Sequence, residues 1–233
     1  MTNTNQNVPV PDHFSDMTTL SKQLLRPGIS REESQALYNQ LASLGAYDKL
    51  HDYAKYSTAY DKLMAAVLDL FPNHNERKDV AILDVGAGTG KIGQRLRDAG
   101  FEHVDALDPS PEMLKIAQNK GVYKRYISSF FTQQPVDCIE EDAYDLLVMC
   151  GVCGPGAVPV EAFKEVVRIL KPGGYVVNCL RAEYLYTCPE YQGRWEPFML
   201  AMVEKGKMRL VSEHRYPRHF FNYEGLRLVY QIL

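Results

Sequence analysis

Apolar and polar positions divide the chain into a helical front portion and a longer alternating portion. From about residue 79 to 205, short continuous apolar runs alternate with apolar stripes at helical spacing. Val80-Ala81-Ile82-Leu83 is the first run, ending in Asp84-Val85 and a glycine-rich turn, and a short helix then stops at Gly100. Residues 104–107, 122–127, 144–150 and 175–180 read as strands two to five. Between strands two and three, Ser110 and Pro111 open a helix as N-cap and first-turn proline, and Gly121 closes it. Phe163, Val166, Val167 and Leu170 make the next helical stripe, stopped by Lys171-Pro172-Gly173-Gly174. Phe198, Met199, Met202 and Val203 make the last stripe, stopped by Gly206, and strands follow at about 208–216 and 226–233.

Runs such as Leu146-Leu147-Val148-Met149, apolar on both faces, belong to strands covered on both sides. With the alternation of strand and helix they predict a doubly wound α/β sheet, mostly parallel. The front portion carries no strand signal. Residues 1–14, polar and with two prolines, read as disordered. Ser30-Arg31-Glu32-Glu33 is a capping box, with Leu37, Leu41 and Leu44 following at helical spacing. A second helix is expected over 57–71, carrying Leu63, Met64, Val67 and Leu70, and Pro72-Asn73-His74-Asn75 breaks the chain after it. The division expected is an N-terminal tail and helical lid over 1–46 and one ligand-binding domain over 47–233.

Composition narrows the function classes. The 233 residues, 45% apolar and 24% charged, fit one globular domain with an appendage. The 26 basic and 29 acidic side chains leave a charge of −3, which argues against a broad nucleic-acid surface. No run of about 18 apolar residues predicts a membrane span. The N-terminal residues lack the pattern of a secretory signal, and the odd count of 5 cysteines fits a reducing cytoplasm. Cys150 and Cys153 form a C-x-x-C pair with no second pair to complete a zinc site, so both read as packed or loop thiols and no metal is expected.

The chemistry concentrates in Asp84-Val85-Gly86-Ala87-Gly88-Thr89-Gly90, which leaves strand one and enters a helix. Glycines there let the backbone approach a ligand, and the helix start offers free N–H groups. Gly88, Gly90 and Gly93 also satisfy the dinucleotide pattern G-x-G-x-x-G. Asp108, at the end of strand two, suits ribose hydroxyls in either reading. Asp84 separates the two. A carboxylate at the mouth of strand one repels a pyrophosphate and attracts an ammonium. S-adenosyl-L-methionine carries an ammonium and a sulfonium and no phosphate.

The D-V-G-A-G-T-G turn, Asp108 and Leu170-Lys171-Pro172-Gly173-Gly174 together resemble the class I S-adenosylmethionine-dependent methyltransferases over about residues 47–233. Tyr53-Ala54-Lys55-Tyr56-Ser57-Thr58-Ala59-Tyr60-Asp61, Asp108-Pro109-Ser110-Pro111-Glu112-Met113-Leu114, Gly121-Val122-Tyr123-Lys124-Arg125 and the loop 151–159 are similar to the Williams–Beuren critical region methyltransferase-like group. Ala54, Gly86 and Ala87 depart from that group without removing the turn. The resemblance implies a seven-stranded Rossmann-like sheet with an antiparallel last strand. It also implies roles for named residues. Asp84, Gly86, Ala87, Gly88 and Gly90 would hold the methionine portion. Asp108 would take the ribose, with Pro109 and Met113 against the adenine and Ser129 and Phe130 at its rim. Cys150 would lie under the reactive end, and Tyr53 and Tyr60, on one helical face, would close over the cofactor.

The expected activity is transfer of a methyl group to a small-molecule acceptor by a cytoplasmic enzyme, a monomer. No catalytic base stands out among His51, His214, Glu183 and Tyr184. The tyrosine-rich loop 184–195 is expected to line the acceptor side, and Glu140, Glu141 and Asp142 read as a solvated turn. Two other classes stay open at this point. One is a nicotinamide oxidoreductase using Gly88, Gly90 and Gly93. The other is a protein methyltransferase, or a non-catalytic cofactor-binding partner that docks through the lid.

Overall fold

The computed structural model describes residues 19–20, 22–53, 57–220 and 222–233, without the side chains of 50–53. The expected disorder of 1–14 and the side chains of Tyr53 and His51 lie outside the described residues. Seven strands form one sheet in the order β3-β2-β1-β4-β5-β7-β6. They are β1 (Ala81–Val85), β2 (His103–Leu107), β3 (Tyr126–Ile127), β4 (Tyr144–Cys150), β5 (Leu170–Arg181), β6 (Met208–Tyr216) and β7 (Gly225–Ile232). The first five are parallel, and β7 runs antiparallel to both β5 and β6. The doubly wound sheet with one reversed strand is therefore the one expected.

The helices α1 (Arg31–Ser43), α2 (Ala46–Tyr53) and α3 (Ala59–Leu70) precede the sheet. The longer helices after β1 are α4 (Lys91–Asp98), α5 (Pro111–Lys120), α6 (Phe163–Ile169) and α7 (Trp195–Glu204). Alternate strand residues feed two cores. Leu83, Val85, Leu147 and Met149 pack with Phe163, Val166 and Trp195 on one face. Ile82, Leu146, Val148 and Val177 pack with Leu63, Val67 and Leu96 on the other. A smaller core joins Leu41 and Ala42 of α1 to Met113 of α5 and seats the front helices on the domain. This explains why the strands read as continuous apolar runs: each face has its own helical cover.

Local signals decide several ends. Ser30 accepts from the Glu33 amide while Glu33 returns the bond to the Ser30 amide, the reciprocal box expected. Ser110 caps α5 through the Met113 amide, and Gly121 ends it at φ 63°.

Three expectations need correction. The third strand is only Tyr126–Ile127, because Val122 and Tyr123 turn their side chains into the core beside Ala117. Lys171 to Gly174 does not separate helix from strand. Leu170 already pairs with Tyr144, and the four residues form an irregularity before Tyr175 pairs with Leu146. Tyr53 and Tyr60 do not share one helix, since α2 ends at Tyr53 and α3 starts at Ala59 after a non-helical Thr58.

Candidate functional site

Three cavities open at the carboxyl ends of β1, β2 and β4, and Tyr47 and Cys150 line all three. Parallel sheets place ligands at this end, where the chain order reverses between β1 and β4. The first is a cleft of about 100 Å³ between α1 and the sheet. Asp108, Pro109, Met113 and Phe130 stand on its wall with Gly86 and Gly88. Ser34, Gln35 and Tyr38 of α1 line the same cleft. The Gln35 amide reaches the Pro109 carbonyl, and the Ser110 hydroxyl donates to Asn39 Oδ1 at 2.6 Å.

The glycine turn is built by backbone conformation. Gly86, Gly88 and Gly90 have φ of 69°, 53° and 86°, the left-handed region in which a side chain is strained. A Cβ on Gly86 would also lie 2.0 Å from Val152 Cγ1. Asp108 ties this turn to α5. Its Oδ2 accepts from the Gly88 amide and its Oδ1 from the Ser110 amide, each at 2.8 Å. Burial pushes its carboxyl up to about 6 against these two bonds. Each carboxylate oxygen keeps a second lone pair for another donor.

Asp84 lines a second, smaller cavity together with Tyr60, Gly86, Ala87, Gly88 and Cys150. It is 2% exposed, and no cation is paired with it among the described residues. Burial raises its carboxyl to about 7, opposed by the hydroxyl of Tyr123, which donates to Oδ2 at 2.6 Å. Tyr123 Oη in turn accepts from the Gly93 amide at 3.1 Å, a helix-start N–H that has no partner within its own helix. Tyr123 thus holds Asp84 through the start of α4. Its segment resembles the methyltransferase-like group, but this role was not legible in sequence, because the contact spans 39 positions.

Gly93 belongs to this packing. A Cβ there would lie 2.2 Å from the Tyr123 ring. The third glycine of the dinucleotide pattern is therefore taken by an internal tyrosine. A buried carboxyl group at Asp84 below the turn and the reversed β7 also depart from a dinucleotide fold, whose sheet order is 3-2-1-4-5-6.

Tyr60 and Cys150 line the second and third cavities. Ser129 does not; its hydroxyl bonds to the Phe130 carbonyl oxygen, and Phe130 and Phe131 line the cleft instead. Glu140, Glu141 and Asp142 are exposed and line none of these three cavities, and no metal-binding cluster occurs among the described residues. Of the loop 184–195, only Tyr184 lines the site. Tyr191 and Trp195 are core residues, and the Tyr191 hydroxyl donates to the Val158 carbonyl. His214 is exposed on β6.

The third cavity, about 160 Å³, contains residues that the sequence did not single out: Arg181, His219, Phe220 and Tyr223. Buried Cys153 meets Asn178, and all five cysteines are free, as packed and loop thiols are.

Residues 83–176 match the family model described as a methyltransferase domain. Human methyltransferase-like protein 27 is 33% identical over 138 residues, 55% of this chain and 56% of that one. Malonyl-[acyl-carrier protein] O-methyltransferase of Pseudescherichia vulneris is 32% identical over 124 residues, 52% of this chain and 46% of that one. The chain spans about half the length of the curated relatives it matches. Among solved structures, the Burkholderia thailandensis 1,6-didemethyltoxoflavin-N1-methyltransferase, with bound 1,6-didemethyltoxoflavin and S-adenosylhomocysteine, superposes with a TM-score of 0.55 and 15% identity, covering 98% of this chain and 92% of that one. The [4+2]-cyclase SpnF gives 0.61 at 16% identity, covering 88% and 98%. The fold is that of the class I S-adenosylmethionine-dependent methyltransferases, as the sequence resemblance implied, and residues 83–176 are similar to a methyltransferase domain.

Proposed function

We propose that this protein binds S-adenosyl-L-methionine across the first two cavities and transfers its methyl group to a small molecule held in the third. The observation that carries this reading is the meeting of the three cavities at Tyr47 and Cys150, with Asp108 on one side and Asp84 on another. Asp108 would accept from the ribose hydroxyls on its remaining lone pairs. Pro109, Met113 and Phe130 would flank the adenine. Asp84 would meet the ammonium as an ionised carboxylate steadied by Tyr123. Tyr60 and Cys150 would close the wall at the junction; the role of Tyr53 rests on the resemblance alone.

The cofactor supplies an activated methyl group on a cationic sulfur. The protein's share is then mainly positioning and exclusion of water, with the acceptor atom, methyl and sulfur held in line. Tyr38 of α1 lines the first and third cavities, which supports a lid role for the front segment, residues 1–46, over the domain 47–233. No described helix is long and apolar enough to cross a membrane. The free thiols support a cytoplasmic setting, and the near-neutral charge supports an acceptor other than nucleic acid.

The nicotinamide reading is not favoured, for the reasons given by Gly93, Asp84 and β7. The likeness to a cyclase is a reminder that this fold also serves another reaction, so activity needs its own test.

That test is calorimetric titration with S-adenosylmethionine, S-adenosylhomocysteine and NAD, with Asp108→Ala and Asp108→Asn alongside. The asparagine keeps one acceptor for the turn amides. Micromolar binding of both adenosyl compounds, weakened at least tenfold in each variant, is the expected result. Binding of NAD alone, or unchanged binding in both variants, refutes it.

A further inference from the structure

The third cavity has a chemistry of its own. Leu24, Leu25 and Leu41 with Tyr38, Tyr60 and Phe220 give it apolar and aromatic walls. Its size, about 160 Å³, is close to the roughly 150 Å³ engineered cavity that takes a benzene ring. Among its described lining residues, Arg181 carries the one permanent formal charge.

Arg181 is the last residue of β5, and its side chain is 12% exposed. Its guanidinium lies against the Tyr223 ring, with Cζ 3.1 Å from the centroid, and 4.9 Å from that of Tyr184. One Nη2 hydrogen bond goes to Glu183, a half-exposed carboxylate at the rim. Nε is buried and has no hydrogen-bond partner among the described residues. His219, 5% exposed, lines the same wall, and Tyr216 Oη bonds its Nδ1 at 2.7 Å. Burial and the Arg181 charge push the imidazole down to about 4, so it is neutral near pH 7 and adds no second cation.

We propose that this cavity selects a compact, single-ring acceptor bearing one carboxylate, with Arg181 as its anchor. The assignment of this cavity to the acceptor rests on the preceding reading, which puts the methyl group at Cys150. A buried donor without a partner is costly, and a carboxylate accepting from Nε removes that cost. Guanidinium N–H groups lie in one plane and match a flat, two-oxygen anion. Tyr223 and Tyr184 hold that plane in place before a ligand arrives, so little side-chain freedom is lost on binding. Glu183 already answers part of the charge, which suits a monoanion better than a phosphate dianion. With the carboxylate at Arg181, the rest of the molecule extends across the cavity towards Cys150 and Gly151, which both line it.

The experiment uses the full chain saturated with S-adenosylhomocysteine, titrated with benzoate, phenylacetate and their neutral amides. Arg181→Gln and Arg181→Lys are measured in parallel, after circular dichroism has established their folding. In the unaltered protein the acids bind at least tenfold tighter than the amides. R181Q abolishes that preference and R181K retains part of it. Equal binding of acids and amides, no binding of either acid, or an acid preference that survives in R181Q overturns the proposal. If R181Q does not fold, the acid–amide comparison in the unaltered protein decides alone. Failure of S-adenosylhomocysteine to bind counts against the cofactor reading instead, and the acid–amide comparison is then made on the free protein.

Discussion

Tyr123→Phe isolates the coupling between Asp84 and the start of α4. It removes one hydroxyl and keeps the ring that packs against Gly93. The lost bond is short, buried and made to a carboxylate: 2.6 Å from Tyr123 Oη to Asp84 Oδ2. Hydrogen bonds to charged groups contribute about 1.5–3 kcal/mol, and one pH unit of titration corresponds to about 1.4 kcal/mol. The Asp84 titration, at about 7 in the intact protein, therefore moves upward by about one to two pH units. At pH 7 the carboxylate changes from roughly half ionised to mostly protonated. An ammonium ligand then binds about fivefold to fiftyfold more weakly. The assay is calorimetry with S-adenosylhomocysteine and with methylthioadenosine, which has the adenosine but no ammonium, from pH 6 to 9. The loss should appear with the first ligand and not the second, and it should shrink as pH rises. Equal loss of both ligands, or no loss at any pH, refutes the assignment of Asp84 to the ammonium. The same proton links Asp84 to folding. Asp84 titrates near 7 when folded, against 3.8 for an ordinary aspartate, so the folded state alone holds the proton between them. Its contribution to stability is fully present below about pH 4 and falls as pH rises to about 7.

Other perturbations separate the turn from the scaffold. In the unaltered protein, S-adenosylhomocysteine affinity should fall about tenfold from pH 8 to pH 6 as Asp84 takes up a proton, while methylthioadenosine affinity changes less; parallel slopes in calorimetry contradict this. Gly86→Ala places a Cβ against Val152 at a φ of 69°, so it should cost at least tenfold in affinity and about 1–2 kcal/mol of stability, read by thermal melting with and without ligand. Adding Val152→Ala should recover part of the affinity, since the side-chain clash is then relieved. Glu165 is 2% exposed, bonds Arg168 and accepts from the Val136 amide at 3.0 Å, far from the turn in sequence. Glu165→Ala should lower stability by about 2–3 kcal/mol in denaturant titration and leave ligand affinity within about twofold.

The sheet was legible because its strands are buried on both faces, which writes them as uninterrupted apolar runs. The turn was legible because three left-handed positions required glycine at 86, 88 and 90. Asp84 and Asp108 stand beside that turn in sequence or at a strand end, so local pattern located them. The acceptor side has no such code. Arg181 ends a strand, His219, Phe220 and Tyr223 lie in the loop between β6 and β7, and Tyr47 comes from the short helix α2. Their convergence depends on the reversal of β7 beside β5, which brings residue 225 opposite residue 181. Tyr123 was likewise hidden. Its segment reads as strand, yet its hydroxyl serves a carboxylate 39 residues earlier. The loop 184–195 shows the converse: Tyr191 and Trp195 pack into the core, whereas Tyr184 lines the third cavity and Tyr186 is exposed, so aromatic residues grouped in sequence do not share a surface.

The central claim is that Asp84 and Asp108 receive opposite ends of one adenosyl ligand, with its sulfur at Cys150. A crystal structure of the full chain with S-adenosylhomocysteine tests this directly. The account predicts the amino group within hydrogen-bond reach of Asp84, the ribose hydroxyls on Asp108, and the sulfur facing the cavity that contains Arg181. An amino group bound elsewhere, with Asp84 still paired only to Tyr123, would contradict it.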